Sequence, residues 1–119
     1  MEEVVIENNF WKSKKVFITG NTGFKGSWLS ILLSELGANV RGYALKPKED
    51  FDIFNEAKLL DKYQTDFNDI TDFFKISHAI ENFRPDIVFH LAAQPLVRYS
   101  YDNPIETYRT NVIGTLNLL

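Results

Sequence analysis

Seven residues near the amino terminus constrain this chain more than any others: Gly20-Asn21-Thr22-Gly23-Phe24-Lys25-Gly26. They follow Lys15-Val16-Phe17-Ile18-Thr19, a short β-prone run, and precede Ser27–Leu36, where Leu29, Leu32, Leu33 and Leu36 recur at i, i+3, i+4 and i+7. The first pattern predicts a strand and the second a helix with one buried stripe. Glycines at i, i+3 and i+6 between such elements form a dinucleotide-binding turn. Glycine permits the tight bend and lets the backbone approach a pyrophosphate. The helix start then offers unpaired N–H groups and the positive end of its dipole. A Walker-type phosphate loop is excluded, because no Gly-Lys-Ser/Thr follows at the required spacing.

The remaining pattern extends this unit. Residues 1–13 read as a loosely held arm, on which Phe10 and Trp11 could dock, ahead of one domain over 14–119. Helix one is expected over about 23–36, with Gly37 at its left-handed cap. Strand two is Asn39–Ala44, a short helix is expected over 53–60, and strand three is Tyr63–Asp66. Helix two runs over about 71–83, with Phe73, Phe74, Ser77, Ile80 and Phe83 facing inward. Strand four, Asp86–Leu91, is nearly all apolar, which suits a parallel strand covered on both faces. A loop is expected over 92–102. Asn103-Pro104-Ile105-Glu106 then reads as a helix cap with proline at the first helical position. The last helix carries Ile105, Tyr108, Val112, Leu116 and Leu119 on one stripe. Strands and helices alternate throughout, which predicts an α/β fold: a Rossmann-type, doubly wound parallel sheet, here incomplete and N-terminal.

Composition narrows the function classes. A net charge of -3 leaves no basic footprint for nucleic acid. There is no cysteine, so neither a disulfide framework nor a thiolate metal site is available. No segment is long and apolar enough to span a membrane, and the acidic start lacks a signal peptide's pattern. The expectation is a soluble, cytoplasmic protein. The chain ends within a periodic helix, which reads as the N-terminal part of something longer.

Several residues beyond the glycines bear on chemistry. The acid expected about 20 residues past the turn, which would hold the adenine-side ribose, is replaced by Ala44-Leu45-Lys46. NAD can still bind through backbone contacts or neighbours such as Tyr43. Arg41, Lys46 and Lys48 would suit a 2′-phosphate but are not placed to decide for NADP, and a solvated loop explains them as well. Asp66 ends strand three at the carboxyl edge, where it and Phe67 could hold adenine; capping by Asp69 or Thr71 is the other use of this segment. His90 in an apolar strand is more often a satisfied core histidine than a catalyst. With His78 as the only other histidine, no metal cluster is expected. Asn111 lies mid-helix, where asparagine is a poor helix former, next to Tyr108 and Val112. It reads either as an exposed polar position or as a hydrogen-bonding organiser of an active site.

Taken together, these residues resemble the extended short-chain dehydrogenase/reductase superfamily, and within it the family of CDP-glucose 4,6-dehydratases. The glycine turn marks the superfamily. Gly23-Phe24-Lys25-Gly26-Ser27-Trp28 and His90-Leu91-Ala92-Ala93-Gln94-Pro95-Leu96-Val97-Arg98 mark the narrower family, as do Phe10-Trp11, Gly42-Tyr43-Ala44-Leu45 and the run from Ser100 through Thr110-Asn111-Val112-Ile113-Gly114-Thr115. Asn21 departs from the family's usual histidine. The resemblance implies that NAD takes a hydride from C4 of the glucose, that water is eliminated across C5 and C6, and that the hydride returns to C6. It also implies cofactor contacts at Gly20, Thr22, Gly23, Phe24, Lys25, Gly26, Tyr43, Asp66, Phe67, Leu91, Ala92 and Ala93. Asn111 would organise the active site, Gln94, Arg98 and Tyr101 would lie near the nucleotide-sugar substrate, and the full-length protein would be a homodimer. The family's Tyr-x-x-x-Lys pair does not occur in these 119 residues, so this chain is expected to carry the cofactor half without turnover. A related epimerase or reductase, and a non-catalytic NAD-binding module, remain as alternatives.

Overall fold

The computed structural model describes residues 10–47, 58 and 62–119. Lys48 and the short helix expected over 53–60 fall outside the described residues, apart from Lys58. Four parallel strands form one sheet: β1 (Lys15–Thr19), β2 (Asn39–Ala44), β3 (Gln64–Phe67) and β4 (Ile87–His90), in the order β3-β2-β1-β4. In register, Ile18 lies beside Gly42 on one side and Phe89 on the other, and Gly42 lies beside Thr65.

The period-two alternation of β1 feeds two cores. Val16 and Ile18 pack with Val40, Tyr63 and Leu33 of α1 (Phe24–Glu35), and Trp11 docks on this cluster. Phe17 and Tyr43 pack on the opposite face with Ile70 and with Ile76, Ala79 and Phe83 of α2 (Phe73–Phe83). Helices on both faces of an open parallel sheet make the expected doubly wound α/β fold. Gly37, at φ 89°, closes α1 and donates its N–H to Ser34 O at 3.1 Å.

Both long helices bury only part of the face their large residues predict: Leu33 and Phe83 are buried and Leu29 and Ile80 pack on the cores. In α1 the buried residues are Gly26, Ser27, Ser30 and Leu33, while Leu32 is exposed. In α2 they are Ile76, Ala79 and Phe83, while Phe73 and Phe74 are exposed. In α1 small residues face the sheet because they let the helix backbone approach it, and this turns Leu32 toward solvent. The start of α2 is also set later than expected. Asp72 is its N-cap, with Oδ1 accepting from Lys75 N at 3.1 Å, while Asp69 Oδ1 accepts from the Thr71 amide and hydroxyl just ahead of it.

The carboxyl-terminal third differs most from expectation. β4 is the outermost strand among the described residues, and Val88 is 41% exposed rather than covered. The expected loop contains a helix, α3 (Val97–Asp102). The last helix begins as α4 (Pro104–Tyr108), passes through a π-helical turn (Arg109–Ile113) and ends as α5 (Gly114–Leu118). Asn103 does not cap α4 with its side chain; its Nδ2 donates to Tyr99 O, and Glu106 accepts from the Tyr99 hydroxyl. The expected stripe of Ile105, Tyr108, Val112, Leu116 and Leu119 is exposed. The helix docks instead through Gly114, which is buried, through Leu118, and through Asn117, whose Nδ2 donates to Ile70 O and Thr71 O. Among the described residues, no helix is long and apolar enough to cross a membrane.

Candidate dinucleotide-binding site

β1 is flanked by β2 and β4, and the chain leaves β1 toward one neighbour and reaches the other only after crossing the sheet. The carboxyl ends of β1 and β4 therefore open a crevice at the topological switch point, the place where ligands bind in sheets of this kind. Two segments meet there: the glycine turn after β1 and Leu91-Ala92-Ala93 after β4.

The three turn glycines do different work. Gly20 has φ 72°, and a Cβ on it would stand 2.7 Å from Leu91 O and Ala92 N. It is glycine so that the two segments can touch backbone to backbone. A Cβ on Gly26 would lie 2.2 Å from Gly20 O, so the first turn of α1 rests directly on the loop. Gly23 has φ -77°, its added Cβ would meet only Gly20 O at 3.4 Å, and it is exposed. Nothing in the protein requires glycine here, and the space above it is open. Gly23 is also the N-cap of α1 and supplies no side-chain cap, and the first turn holds no acidic residue. The donors at the start of α1 thus have no side-chain cap, an arrangement that can receive an anion. Phe24 and Lys25 are exposed beside this cradle.

The turn is held from below by the side chain at which this chain departs from the family's usual histidine. Asn21 is fully buried, and its Nδ2 donates to Thr65 Oγ1 at 3.0 Å and Tyr63 Oη at 3.2 Å. It fills the hollow over Gly42, where a Cβ would stand 2.1 Å from the Asn21 amide. Ser27 Oγ donates to Asn21 O, and Thr22 Oγ1 donates to Leu45 O at 2.9 Å. The turn is therefore tied to β2, β3 and α1. Tyr43 does not open onto the crevice: its side chain is 1% exposed and packs on Phe17, and its hydroxyl donates to Asp69 O. Burial first, then the carboxylates of Asp72, Asp69 and Asp66, push its pKa up to about 12. What Tyr43 gives the turn is its carbonyl, which accepts from Gly20 N at 2.9 Å.

A second network orders the β4 side. Thr19 Oγ1 accepts from the Leu91 and Ala92 amides, which leaves its proton for His90 Nδ1 at 2.7 Å. Thr115 Oγ1 gives its proton to Asn111 O, so it accepts from His90 Nε2 at 2.9 Å. These directions fix His90 as neutral with its proton on Nε2. Burial lowers its pKa below the ordinary 6.5 in the same sense. Both ring nitrogens are committed to the frame, in line with a satisfied histidine rather than a catalyst.

Asn111 sits inside the π-helical turn, and its amide clasps the backbone of Gln94: Oδ1 accepts from Gln94 N at 2.7 Å and Nδ2 donates to Gln94 O at 3.2 Å. The Gln94 side chain turns back on its own loop, to Leu96 O, Leu96 N and Thr107 Oγ1. It shapes the loop that carries Arg98 and Tyr101, both of which are exposed. On the other flank, Asp66 is half-buried at the end of β3 and the Phe67 ring packs on the α1-side core. A cleft of ≈ 560 Å³ opens on this edge between Leu45, Asp69, Thr71 and the Asp102–Glu106 segment. Lys46 is exposed here, whereas Arg41 points to the opposite end of the sheet, where Nη2 donates to Gln64 Oε1. Arg41 is thereby removed from the residues that could meet a 2′-phosphate.

The model of the GDP-mannose 4,6 dehydratase family matches residues 17–119. The chain belongs to that family. Among curated relatives, it is 55% identical over 115 residues to CDP-glucose 4,6-dehydratase of Salmonella typhimurium, covering 97% of this chain and 32% of the relative. It is 35% identical to a GDP-mannose 4,6-dehydratase of Vibrio cholerae, covering 90% of this chain and 31% of the relative. The fold is similar to that of an epimerase from Methanothermobacter thermautotrophicus, with a TM-score of 0.79 and 30% identity over 94% of this chain and 32% of the other. It is likewise similar to UDP-glucose 4-epimerase from Thermus thermophilus, solved with NAD, with a TM-score of 0.76 and 28% identity over 87% of this chain and 32% of the other. The chain spans about a third of the length of these relatives. The matched residues 17–119 contain this chain's glycine turn, β4 crevice and Asn111 clasp.

Proposed function

We propose that this chain is the NAD-binding part of a nucleotide-sugar 4,6-dehydratase acting on CDP-glucose. The observation that carries the proposal is the open cradle at Gly23, set on an uncapped helix start and facing the switch-point crevice. Identity of 55% to the Salmonella typhimurium CDP-glucose enzyme, against 35% to a GDP-mannose enzyme, supports the choice of nucleotide.

NAD bound here would supply a hydride acceptor for the sugar C4 and a hydride donor for C6. The chain's own residues bind and orient. The Phe24, Lys25 and Gly26 amides receive the pyrophosphate beside Gly23, whose own amide donates to Gly20 O, Gly20 sets the floor of the crevice, and Leu91, Ala92 and Ala93 line its wall toward the nicotinamide. Asp66 and Phe67 border the adenine end. Asn111 holds the Gln94 loop, which presents Arg98 and Tyr101 toward the sugar. The exposed apolar face of the last helix suits the pairing of two subunits that the family resemblance implies.

The test is calorimetric titration of NAD into the wild-type chain and Gly23→Ala. A Cβ at Gly23 meets nothing closer than 3.4 Å, and its φ suits alanine. Stability should therefore change by no more than about 0.5 kcal/mol, while NAD affinity falls at least about tenfold because the methyl occupies the anion's approach. Equal NAD affinity in the two proteins would refute the site. NADP and NAD titrated side by side would settle which of the two Lys46 admits.

A further inference from the structure

We infer that the amino edge of the sheet holds a second anion site, for a multivalent oxyanion of the phosphate class. It lies at the far end of β1 from the glycine turn, about 13 Å away along the strand, and has no part in the dinucleotide reading. A cavity of ≈ 340 Å³ opens there, lined by Lys15 at the start of β1, Arg41 in β2, Lys62 ahead of β3 and Phe83 at the end of α2. Among the described residues no carboxylate lines it, in a chain whose net charge is -3.

Among the described residues the cations have no acidic side-chain partner within ion-pair distance. Lys15 Nζ stands 5.9 Å and the Arg41 guanidinium 5.2 Å from the centroid of the same Phe83 ring. Arg41 donates to the neutral Gln64 amide, and the Lys75–Asp72 pair elsewhere is the ion pair found among the described residues. Asp86 lies on this edge but outside the lining, where its Oδ2 accepts the Lys15 amide at 2.8 Å. An aromatic face attracts a cation, yet two cations on one ring repel each other, and an anion between them and Lys62 relieves that repulsion. The Ser34 hydroxyl, which has no hydrogen-bond partner, borders the same cavity. Three separated cations around a space of this size suit a doubly or triply charged oxyanion better than a lone carboxylate.

The test is titration of the whole chain with pyrophosphate, followed by amide NMR, beside sodium chloride at matched ionic strength. Saturable shifts are expected at Arg41, Lys62, Gln64 and Phe83, distinct from those of Gly23–Gly26. Lys62→Gln should weaken the amino-edge response about fivefold and Lys15→Gln with Arg41→Gln about tenfold or more, while the glycine-turn response is unchanged. The Lys62 side chain is exposed and makes no ion pair among the described residues, so that variant keeps the fold even if the double variant does not. Shifts confined to the glycine turn, amino-edge shifts reproduced by chloride, or undiminished affinity in Lys62→Gln would overturn the site.

Discussion

α1 and the last helix are both rich in large apolar residues, yet they meet the rest of the molecule in unequal ways. α1 lies on the sheet through Gly26, Ser27, Ser30 and Leu33, and its first turn touches the backbone of the Gly20 loop. The last helix leaves Ile105, Tyr108 and Leu116 in solvent and docks through Gly114, Asn117 and Leu118. In each, a glycine marks the point of closest approach. At Gly26 the neighbour is backbone, which cannot yield; at Gly114 it is the Cγ2 methyl of Ile70, a side chain that must shift but is not fixed by the main chain. Close approach between main chains builds the rigid half of the site, and side-chain contact builds the adjustable half.

The sharpest test of that contrast is Gly26→Ala. With 2.2 Å to Gly20 O and 2.8 Å to Asn21 Cα, the methyl has no space. We expect a loss of about 3–5 kcal/mol in chemical denaturation, enough to unfold a domain of marginal stability. Asn21→Ala comes next, at about 2 kcal/mol, because it empties the hollow over Gly42 and strips the Tyr63 and Thr65 hydroxyls of a donor. Gly114→Ala should cost about 1–3 kcal/mol, less than Gly26→Ala, since the side chain of Ile70, unlike backbone, can shift to make room. If it equals Gly26→Ala in the same denaturation series, the rigid-versus-adjustable contrast is wrong.

The smallest effect concerns His90. Its folded pKa lies below the ordinary 6.5 because burial penalises the charged ring. The unfolded chain then binds more protons, so the associated stability is complete above about pH 6.5 and is lost as pH falls toward the folded pKa. Thermal unfolding from pH 7.5 to 5 should show this decline. Imidazole 15N shifts should report the Nε2–H tautomer at the upper end; an Nδ1–H ring would break the Thr19–His90–Thr115 order.

Much of the fold was legible because β1 and the glycine turn are governed by local rules. An apolar run became a strand buried in the middle of the sheet, and three glycines at fixed spacing became a turn at its carboxyl end. Gly37 capped α1 as its position implied. Face assignment was not legible, since counting large residues placed Leu32, Phe73 and Phe74 inside where Ser30, Ile76 and Ala79 lie. Nor was the role of Tyr43, whose position beside the turn suggested contact with a ligand and whose side chain is core. Asn21 could have been found: a polar residue inside a glycine turn, opposite a glycine on the next strand, signals a side chain filling the gap.

The sequence by itself determined the order of the four strands with the long helices that follow β1 and β3, and the glycine turn, because each depends on neighbours within a few positions. Only the tertiary structure decided which glycine is free for a ligand, which way His90 is protonated, and that Asn111 holds Gln94. Those facts depend on atoms from β1, β4 and the last helix, up to 96 residues apart between Thr19 and Thr115 (115 less 19), brought within hydrogen-bond reach of one histidine. Steric crowding and proton direction are properties of that meeting, and no local pattern encodes them.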